Sequence, residues 1–247
     1  MIKSQSPIQV VMPMAGLGLR FQNEGITTLK PLIPVKNIPM FVYALESTAK
    51  FNSTKLHAVI LKEHQEQHEL DKKLNRLYPE LELTILDSRT RGAAETILAA
   101  SPRLKMDYPL LILDCDIAFI CDELESMVNT GAFHDFDGVL LYFESQNPSY
   151  SYLEKDHDSI CVRIIEKKVI SNNAVIGAYF ISTASKFFES AKQIIGLYDE
   201  GTELEIYISS VINQMIEEGA RFLTLKAEFV NFGTPDDLRR YNQENLH

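Results

Sequence analysis

Cysteine is scarce: Cys115, Cys121 and Cys161 are the three among 247 residues. They cannot all pair with one another, and no two stand at a C-x-x-C or other metal-binding spacing. A disulfide framework and a structural zinc site therefore find no support, and reduced core thiols in a cytoplasmic protein are the expectation. Long apolar runs are also missing. Stretches such as 109–113 are far too short to cross a bilayer. The opening residues, MIKSQSPIQVVMP, carry one lysine and a brief apolar run and do not read as a signal peptide. Neither feature suggests a membrane partner. Basic residues are outnumbered, 24 Lys and Arg against 34 Asp and Glu, for a net charge of −10. That is the reverse of the basic stripe by which proteins hold duplex nucleic acid, so no nucleic-acid partner is expected. An anionic ligand would have to be held by a local set of cations and backbone amides. No internal repeat, low-complexity tract or Gly/Ser linker breaks the chain.

What is present is the composition of a globular chain, 45% hydrophobic and 23% charged. Short runs rich in Val, Ile and Leu at 8–12, 57–61, 81–86, 110–113 and 138–142 read as buried strands. Helical periodicity lies between them at 64–77, 92–100 and 122–128. In the first of these, Leu70, Leu74 and Leu77 share one face. Such alternation implies a doubly wound parallel α/β sheet with right-handed crossovers. The second half changes character. Segments 159–165 and 174–182 read as strands that could run antiparallel, with helices near 185–195 and 203–217. Two more strands at 221–225 and 228–231 precede a last helix from Pro235. One domain spanning 1–247 is the reading, with a nucleotide-binding half to about residue 135 and an acceptor-binding half from about 136.

The most informative stretch follows the first strand. Pro13-Met14-Ala15-Gly16-Leu17-Gly18-Leu19-Arg20 places two glycines where backbone must approach a ligand and turn its N–H groups inward. Arg20 can fork onto phosphate oxygens, and Lys30 can add a point charge. In open α/β sheets, ligands bind at loops on the carboxyl ends of strands. Two other phosphate motifs do not fit. The dinucleotide fingerprint needs glycine where Phe21 stands, and the G-K-[ST] of a P-loop is absent. A pair of glycines alone could be only a tight strand-to-helix turn; followed by Arg20 and Lys30-Pro31-Leu32, it is much more specific.

With Pro13-Met14-Ala15-Gly16-Leu17-Gly18-Leu19-Arg20-Phe21, Lys30-Pro31-Leu32-Ile33-Pro34-Val35 and Pro39-Met40, the chain resembles the sugar-phosphate nucleotidyltransferases, or nucleoside-diphosphate-sugar pyrophosphorylases. The likeness runs on to Gly233-Thr234-Pro235 and so covers nearly the whole chain. Leu29 departs from it, standing where the family usually has proline. The resemblance implies a Rossmann-like three-layer α/β/α fold of the GT-A-like kind, with a mixed, mostly parallel sheet. It also implies transfer of a nucleoside monophosphate from a nucleoside triphosphate to a sugar 1-phosphate, giving a nucleotide sugar and pyrophosphate for surface polysaccharide synthesis. Arg20 and Lys30 become the catalytic cations. Met14, Ala15, Gly16 and Gly18 become the nucleotide-binding loop. Thr90-Arg91-Gly92 matches the segment that touches the base, with Gly92 leaving room for it.

Asp114 and Asp116 end an apolar strand. Carboxylates there can hold Mg²⁺ against phosphates, although turn-forming or capping aspartates are common. The resemblance makes Asp116 the metal ligand and leaves Asp114 as a further candidate. It also puts Asn231 at a second metal position usually held by aspartate. The amide carbonyl can still ligate, but one negative charge is lost. Asp236 and Asp237, after Pro235, read better as first-turn acids of a helix than as ligands. Glu166, Lys167 and Gly177 match the family's acceptor-pocket residues. Without the resemblance, Glu166-Lys167 is an exposed pair at a strand end. His64 and His68 have zinc-helix spacing, but Gln65 stands where H-E-x-x-H needs glutamate, so a solvated helix face is the reading.

The expected partners are a nucleoside triphosphate and a small phosphorylated acceptor, with Mg²⁺ as cofactor; a homo-oligomer stays open. Three alternatives remain. A cytidylyltransferase for a choline-type alcohol phosphate would use the same first loop. A glycosyltransferase would have no need of Arg20 and Lys30. A non-catalytic nucleotide-sugar sensor would bind without turnover, and Leu29 and Asn231 are what suggest it.

Overall fold

The computed structural model describes residues 6–197 and 205–244. Four parallel strands form the side of the sheet expected to bind nucleotide. β1 (Ile8–Pro13) is flanked by β4 (Thr54–Leu61) and β6 (Leu110–Leu113), and β5 (Glu82–Leu86) lies outside β4. Between β1 and β4, the two-residue strands β2 (Pro34–Val35) and β3 (Ile38–Pro39) make a small hairpin. Its turn residues Lys36 and Asn37 both have positive φ. Polarity changes beyond β6. β7 (Ile117–Ile120), β8 (Gly138–Glu144), β9 (Tyr152–Lys155), β10 (Cys161–Ile165) and β11 (Asn173–Ile181) follow in the chain, and β11 runs antiparallel to β6, β8 and β9. β12 (Phe222–Lys226) returns parallel to β8. All but four of the described strands belong to one nine-stranded mixed sheet. The last strand, β13 (Glu228–Asn231), instead pairs with β7 in a separate ribbon.

Alternation along β1 divides the core. Val10 and Met12 face a cluster completed by α2 (Met40–Glu46), α4 (Leu70–Leu77) and α6 (Asp122–Thr130). Val11 faces the opposite layer of α5 (Ala93–Ala100), α7 (Ala184–Leu197) and α8 (Ile208–Glu217). The result is three-layer α/β/α. Each Leu, Ile or Phe buried on these faces contributes about 1.5–3 kcal/mol against exposure. A third cluster ties the chain's ends to its first loop. Phe21 of α1 (Leu19–Gln22) packs with Val35, Met40, Phe232 and Leu238 of α9 (Pro235–Glu244). Among the described residues, no helix is long and apolar enough to cross a membrane, and the three cysteines are free thiols.

Three expectations need correction. The helix at 64–77 is two helices, α3 (Lys62–His68) and α4, broken where Glu69 takes φ +50°. The break turns Leu70 and Leu74 fully inward but leaves Leu77 46% exposed. The helix expected from 203 begins at Ile208; residues 203 and 204 lie outside the described residues, and Ile206 is in use elsewhere. Its N–H donates to the Arg91 carbonyl (2.8 Å), and its carbonyl accepts from the Ala94 N–H (3.2 Å). Helical periodicity cannot reveal such a crossing. Finally, α2, β7 and β9 were not expected at all.

Candidate active site

Because β1 and β6 pair in parallel, with Val11 beside Ile112, the loop after β1 and the turn after β6 emerge side by side. With the segment before α5 they line a cleft of about 670 Å³. The loop begins anchored, the Met14 N–H donating to the Val59 carbonyl (2.8 Å). Gly18, at φ +67°, opens α1 in the left-handed region, and a side chain there would also crowd Lys30. Gly16 differs: nothing lies within 4 Å of where its Cβ would sit, so the space above it is free. Met14, Ala15, Gly16 and Gly18 all line this cleft, and Arg20 stands exposed at its rim.

Lys30 reaches the Asp116 carboxylate at 2.5 Å. Burial works against the lysine's charge, but Asp116, with Asp114 behind it, outweighs burial and holds the ammonium firmly protonated. Asp114 and Asp116 both line the cleft, although not through strand alternation, since β6 has already ended in a turn. Cys115 between them is buried. The Asp114 N–H donates to the Gly177 carbonyl (2.8 Å), and its side chain lies where a Cβ on Gly177 would overlap it. Burial, then the Asp116 charge, pushes the Asp114 carboxyl up to about 7, against the pull of Lys30.

Gly92 lines the same cleft, but the demand for glycine there is internal. At φ +153° a Cβ would overlap the Ile206 carbonyl and come within 2.8 Å of its nitrogen. Arg89 and Arg91 also line this cleft and were not singled out from the sequence. Arg91 is tied to Glu95 (2.9 Å).

A second cleft of about 440 Å³ adjoins the first and shares Arg20, Ala93, Asp114, Asp116 and Gly233 with it. Glu166, Gly177 and Asn231 line it, together with Tyr179, which completes the Gly-x-Tyr that the resemblance places in the acceptor pocket, and with Tyr150, which nothing in the linear sequence marked. Glu166 accepts hydrogen bonds from Ser151 and from Ser209 (2.7 Å). Lys167 lines neither cleft. Its backbone takes φ +51°, and its ammonium donates to the Tyr207 hydroxyl (2.6 Å) beside Glu205 (3.6 Å).

Asn231 arrives through the β13–β7 ribbon, opposite Ile117. Its Oδ1 accepts from the Gly233 N–H (2.8 Å), while its Nδ2 donates to the Tyr150 hydroxyl (3.0 Å) and to Asp237 (3.1 Å). Gly233 has no side chain to fill the gap: a Cβ there would stand 2.6 Å from Asp116 Oδ2 and 2.9 Å from Asn231 Oδ1. Thr234 caps α9, its Oγ1 accepting from the Asp237 N–H (3.1 Å) while its hydroxyl donates to the Asp237 carboxylate (2.6 Å). Asp236 pairs with Arg239 at 2.5 Å. The first-turn reading of both acids matches this geometry. The histidine pair needs a correction, because His64 is 4% exposed and hydrogen-bonds the Met14 backbone instead of facing solvent. Among the described residues, no three His, Cys, Asp or Glu side chains converge as a metal cluster.

Known proteins place this architecture. The catalytic subunit beta of mannose-1-phosphate guanylyltransferase from Drosophila pseudoobscura pseudoobscura is 26% identical over 182 residues, 68% of this chain and 46% of that protein. The chain spans about half the length of the curated relatives it matches. Among solved structures, the nucleoside-diphosphate-sugar pyrophosphorylase from Vibrio cholerae RC9 is similar with a TM-score of 0.78, covering 95% of this chain and 99% of that one at 20% identity. A UDP-glucose pyrophosphorylase complexed with UDP-glucose is similar with a TM-score of 0.75, covering 97% of this chain and 98% of that one at 16% identity. At such identities the likeness is one of fold. The family model described as Nucleotidyl transferase matches residues 10–247, and the chain belongs to that family.

Proposed function

We propose that this chain transfers a nucleoside monophosphate from a nucleoside triphosphate to a sugar 1-phosphate, releasing pyrophosphate. One observation carries the reading: two clefts of opposite polarity meet at Asp114 and Asp116. Apart from the residues they share, the first cleft offers Lys30, Arg89 and Arg91 against one acid, Glu205. The second offers Glu166, Asp236 and Asp237 against one cation, Arg240. The cationic, glycine-lined cleft suits a triphosphate, and the acidic, tyrosine-lined one suits a polyhydroxylated acceptor. Residues to about 135 would then serve the nucleotide and those beyond it the acceptor. The relatives named as mannose-1-phosphate guanylyltransferases support the same chemistry.

In this reading, a non-bridging oxygen of the acceptor phosphate attacks the α-phosphorus. The bond from that phosphorus to the bridging oxygen breaks, and pyrophosphate leaves with the electron pair. A phosphomonoester has a second pKa of about 6, so the nucleophile is already largely dianionic at pH 7 and needs no general base. The chain's task is alignment and charge neutralisation. Loop amides from Ala15 to Gly18, with Arg20, hold the β- and γ-phosphates. Lys30 faces the charge that develops at the α-phosphorus, and Glu166 orients the acceptor. The donor set around Gly233 fits Mg²⁺, since Asp116 and Asn231 present hard oxygens to one unfilled space, with Asp114 beside them. When bound there, the ion would neutralise phosphate charge.

The test is a matrix of the common nucleoside triphosphates against phosphorylated acceptors, read by pyrophosphate release with Mg²⁺ present. Turnover with at least one sugar 1-phosphate is expected. Turnover confined to alcohol phosphates, or nucleotide binding without any turnover, would overturn the reading.

A further inference from the structure

The second cleft contains a polar assembly that the transfer chemistry does not itself require. Tyr179, Ser151 and Ser209 are 7%, 7% and 1% exposed. They come from β11, the residue preceding β9, and the first turn of α8. The two serines converge on Glu166, which follows β10, and Tyr179 lies near enough to feel its charge. Both serine hydroxyls donate to the same carboxylate oxygen, Oε2. Burial and then the neighbouring Asp114 and Glu166 charges keep the Tyr179 phenol protonated. A second tie, from the Ile164 N–H to Asn213 Oδ1 (3.1 Å), holds the end of β10 against α8. Glu166 lines the cleft, and no described residue donates to its Oε1.

We propose that Ser151 and Ser209 are positioning residues: they engage Oε2 so that Oε1 alone meets the acceptor, which must present a hydrogen-bond donor there. A carboxylate that accepts two hydroxyls on one oxygen is fixed in rotation and can offer a ligand only an acceptor. Hydroxyl and ammonium groups satisfy that demand equally, and an acceptor lacking a donor at this point leaves a half-buried oxygen unpaired. The inference rests on the acceptor role proposed for the second cleft.

The test uses the full chain with the best nucleoside triphosphate and two acceptors, mannose 1-phosphate and glucose 1-phosphate, each beside its 2-amino and 2-deoxy forms. Kinetics are compared for wild type, Ser151→Ala, Ser209→Ala, Ser209→Thr, Glu166→Gln and the Ser209→Ala/Glu166→Gln double variant. Each alanine variant should raise the acceptor KM about tenfold or more, with the nucleotide KM unchanged. Ser209→Thr should restore it. Added to Glu166→Gln, Ser209→Ala should have no further effect, because residues acting through one group are non-additive. The amino and parent sugars distinguish ammonium from hydroxyl as the favoured donor. Equal rises in both KM values, or additive losses in the double variant, would overturn the positioning role while leaving the transferase reading intact. A wild type inactive on every sugar 1-phosphate overturns that reading and this inference with it.

Discussion

The two clefts are built in different ways. The first is made largely of consecutive backbone: a loop at the end of a parallel strand, a short helix opened by Gly18, and a segment around Gly92 that another stretch of chain crosses. The second is assembled from side chains far apart in sequence, with Tyr150, Glu166, Tyr179 and Asn231 brought together by antiparallel strands and the β13–β7 ribbon. A phosphate chain can be bound by any suitably curved run of amides and a few cations. An acceptor must be recognised through individual donors and acceptors. Ways of damaging one cleft and sparing the other follow from that difference.

The largest effect is expected at the seam. Lys30→Met removes the ammonium from Asp116, leaving that carboxylate uncompensated at the point where the two clefts meet. Turnover should fall by about 10²–10³, the usual cost of losing a charge-stabilising contact. Circular dichroism should show the fold retained. Asp116→Asn should match or exceed this loss and should also weaken Mn²⁺ binding measured by paramagnetic resonance, whereas Asp114→Asn should weaken it less. The reverse order would make Asp114 the principal ligand.

Next come the two glycines that answer to different clefts. Gly92→Ala forces a Cβ onto the Ile206 carbonyl at a φ that only glycine tolerates, and Gly177→Ala pushes the Asp114 side chain aside. Each should cost about 1–3 kcal/mol of stability in urea titrations. Their kinetic signatures should diverge, with Gly92→Ala raising the nucleotide KM and Gly177→Ala the acceptor KM. If both variants raised the same constant, the division of the clefts would be wrong.

The same contrast explains what could be read from the sequence. The Met14–Arg20 loop, Lys30 and the acids after β6 are contiguous motifs, and the strands they follow are uninterrupted apolar runs; loop and acids line the first cleft as a group. Glu166, Gly177 and Asn231 were identified only through resemblance. Tyr150, Ser151 and Ser209 carry no local signal, since their roles depend on which strands become neighbours. The break at Glu69 was hidden because φ +50° is a conformation a non-glycine residue adopts only when packing around it repays the strain. Lys167 too was identified only through resemblance, and its ammonium lies against Tyr207 and Glu205.

Smaller effects should follow from the rim cations. Arg89 is exposed beside the first cleft, and Arg240 lies 3.7 Å from Asp237 beside the second. Exposed charges contribute about 0.2–1 kcal/mol, so Arg89→Ala should raise the nucleotide KM only about two- to fivefold, an effect that added salt diminishes. Arg240→Ala should shift the acceptor constant by a similar factor and leave the nucleotide constant alone.

The smallest effect separates the two halves by acid sensitivity. His57 and His64 are the buried histidines among the described residues, and both lie on the parallel side of the sheet around β4. His57 Nε2 lies 2.8 Å from the Thr84 hydroxyl, and His64 packs beneath the Met14 backbone at the start of the loop. Neither Nδ1 has a hydrogen-bond partner. Burial lowers both pKa values from 6.5, although the Glu82 charge pulls His57 the other way and Glu63 does the same for His64. The folded state therefore resists protonation that the unfolded chain accepts. Above pH 6.5 both states are neutral and the histidines leave stability unaffected; as pH falls below 6.5 the unfolded state binds more protons and stability declines. The slope has a ceiling of about 1.4 kcal/mol per pH unit for each histidine. Urea unfolding at pH 7.5 and pH 5.5 should show this loss in the wild type and a smaller one in His57→Gln. Hydrogen exchange at pH 5.5 should show amides of β4 and the Met14 loop opening before those of β8 and β11. Identical pH slopes in the two proteins would trace the acid response to carboxylates, and exchange that rose evenly across the sheet would remove the contrast between its halves.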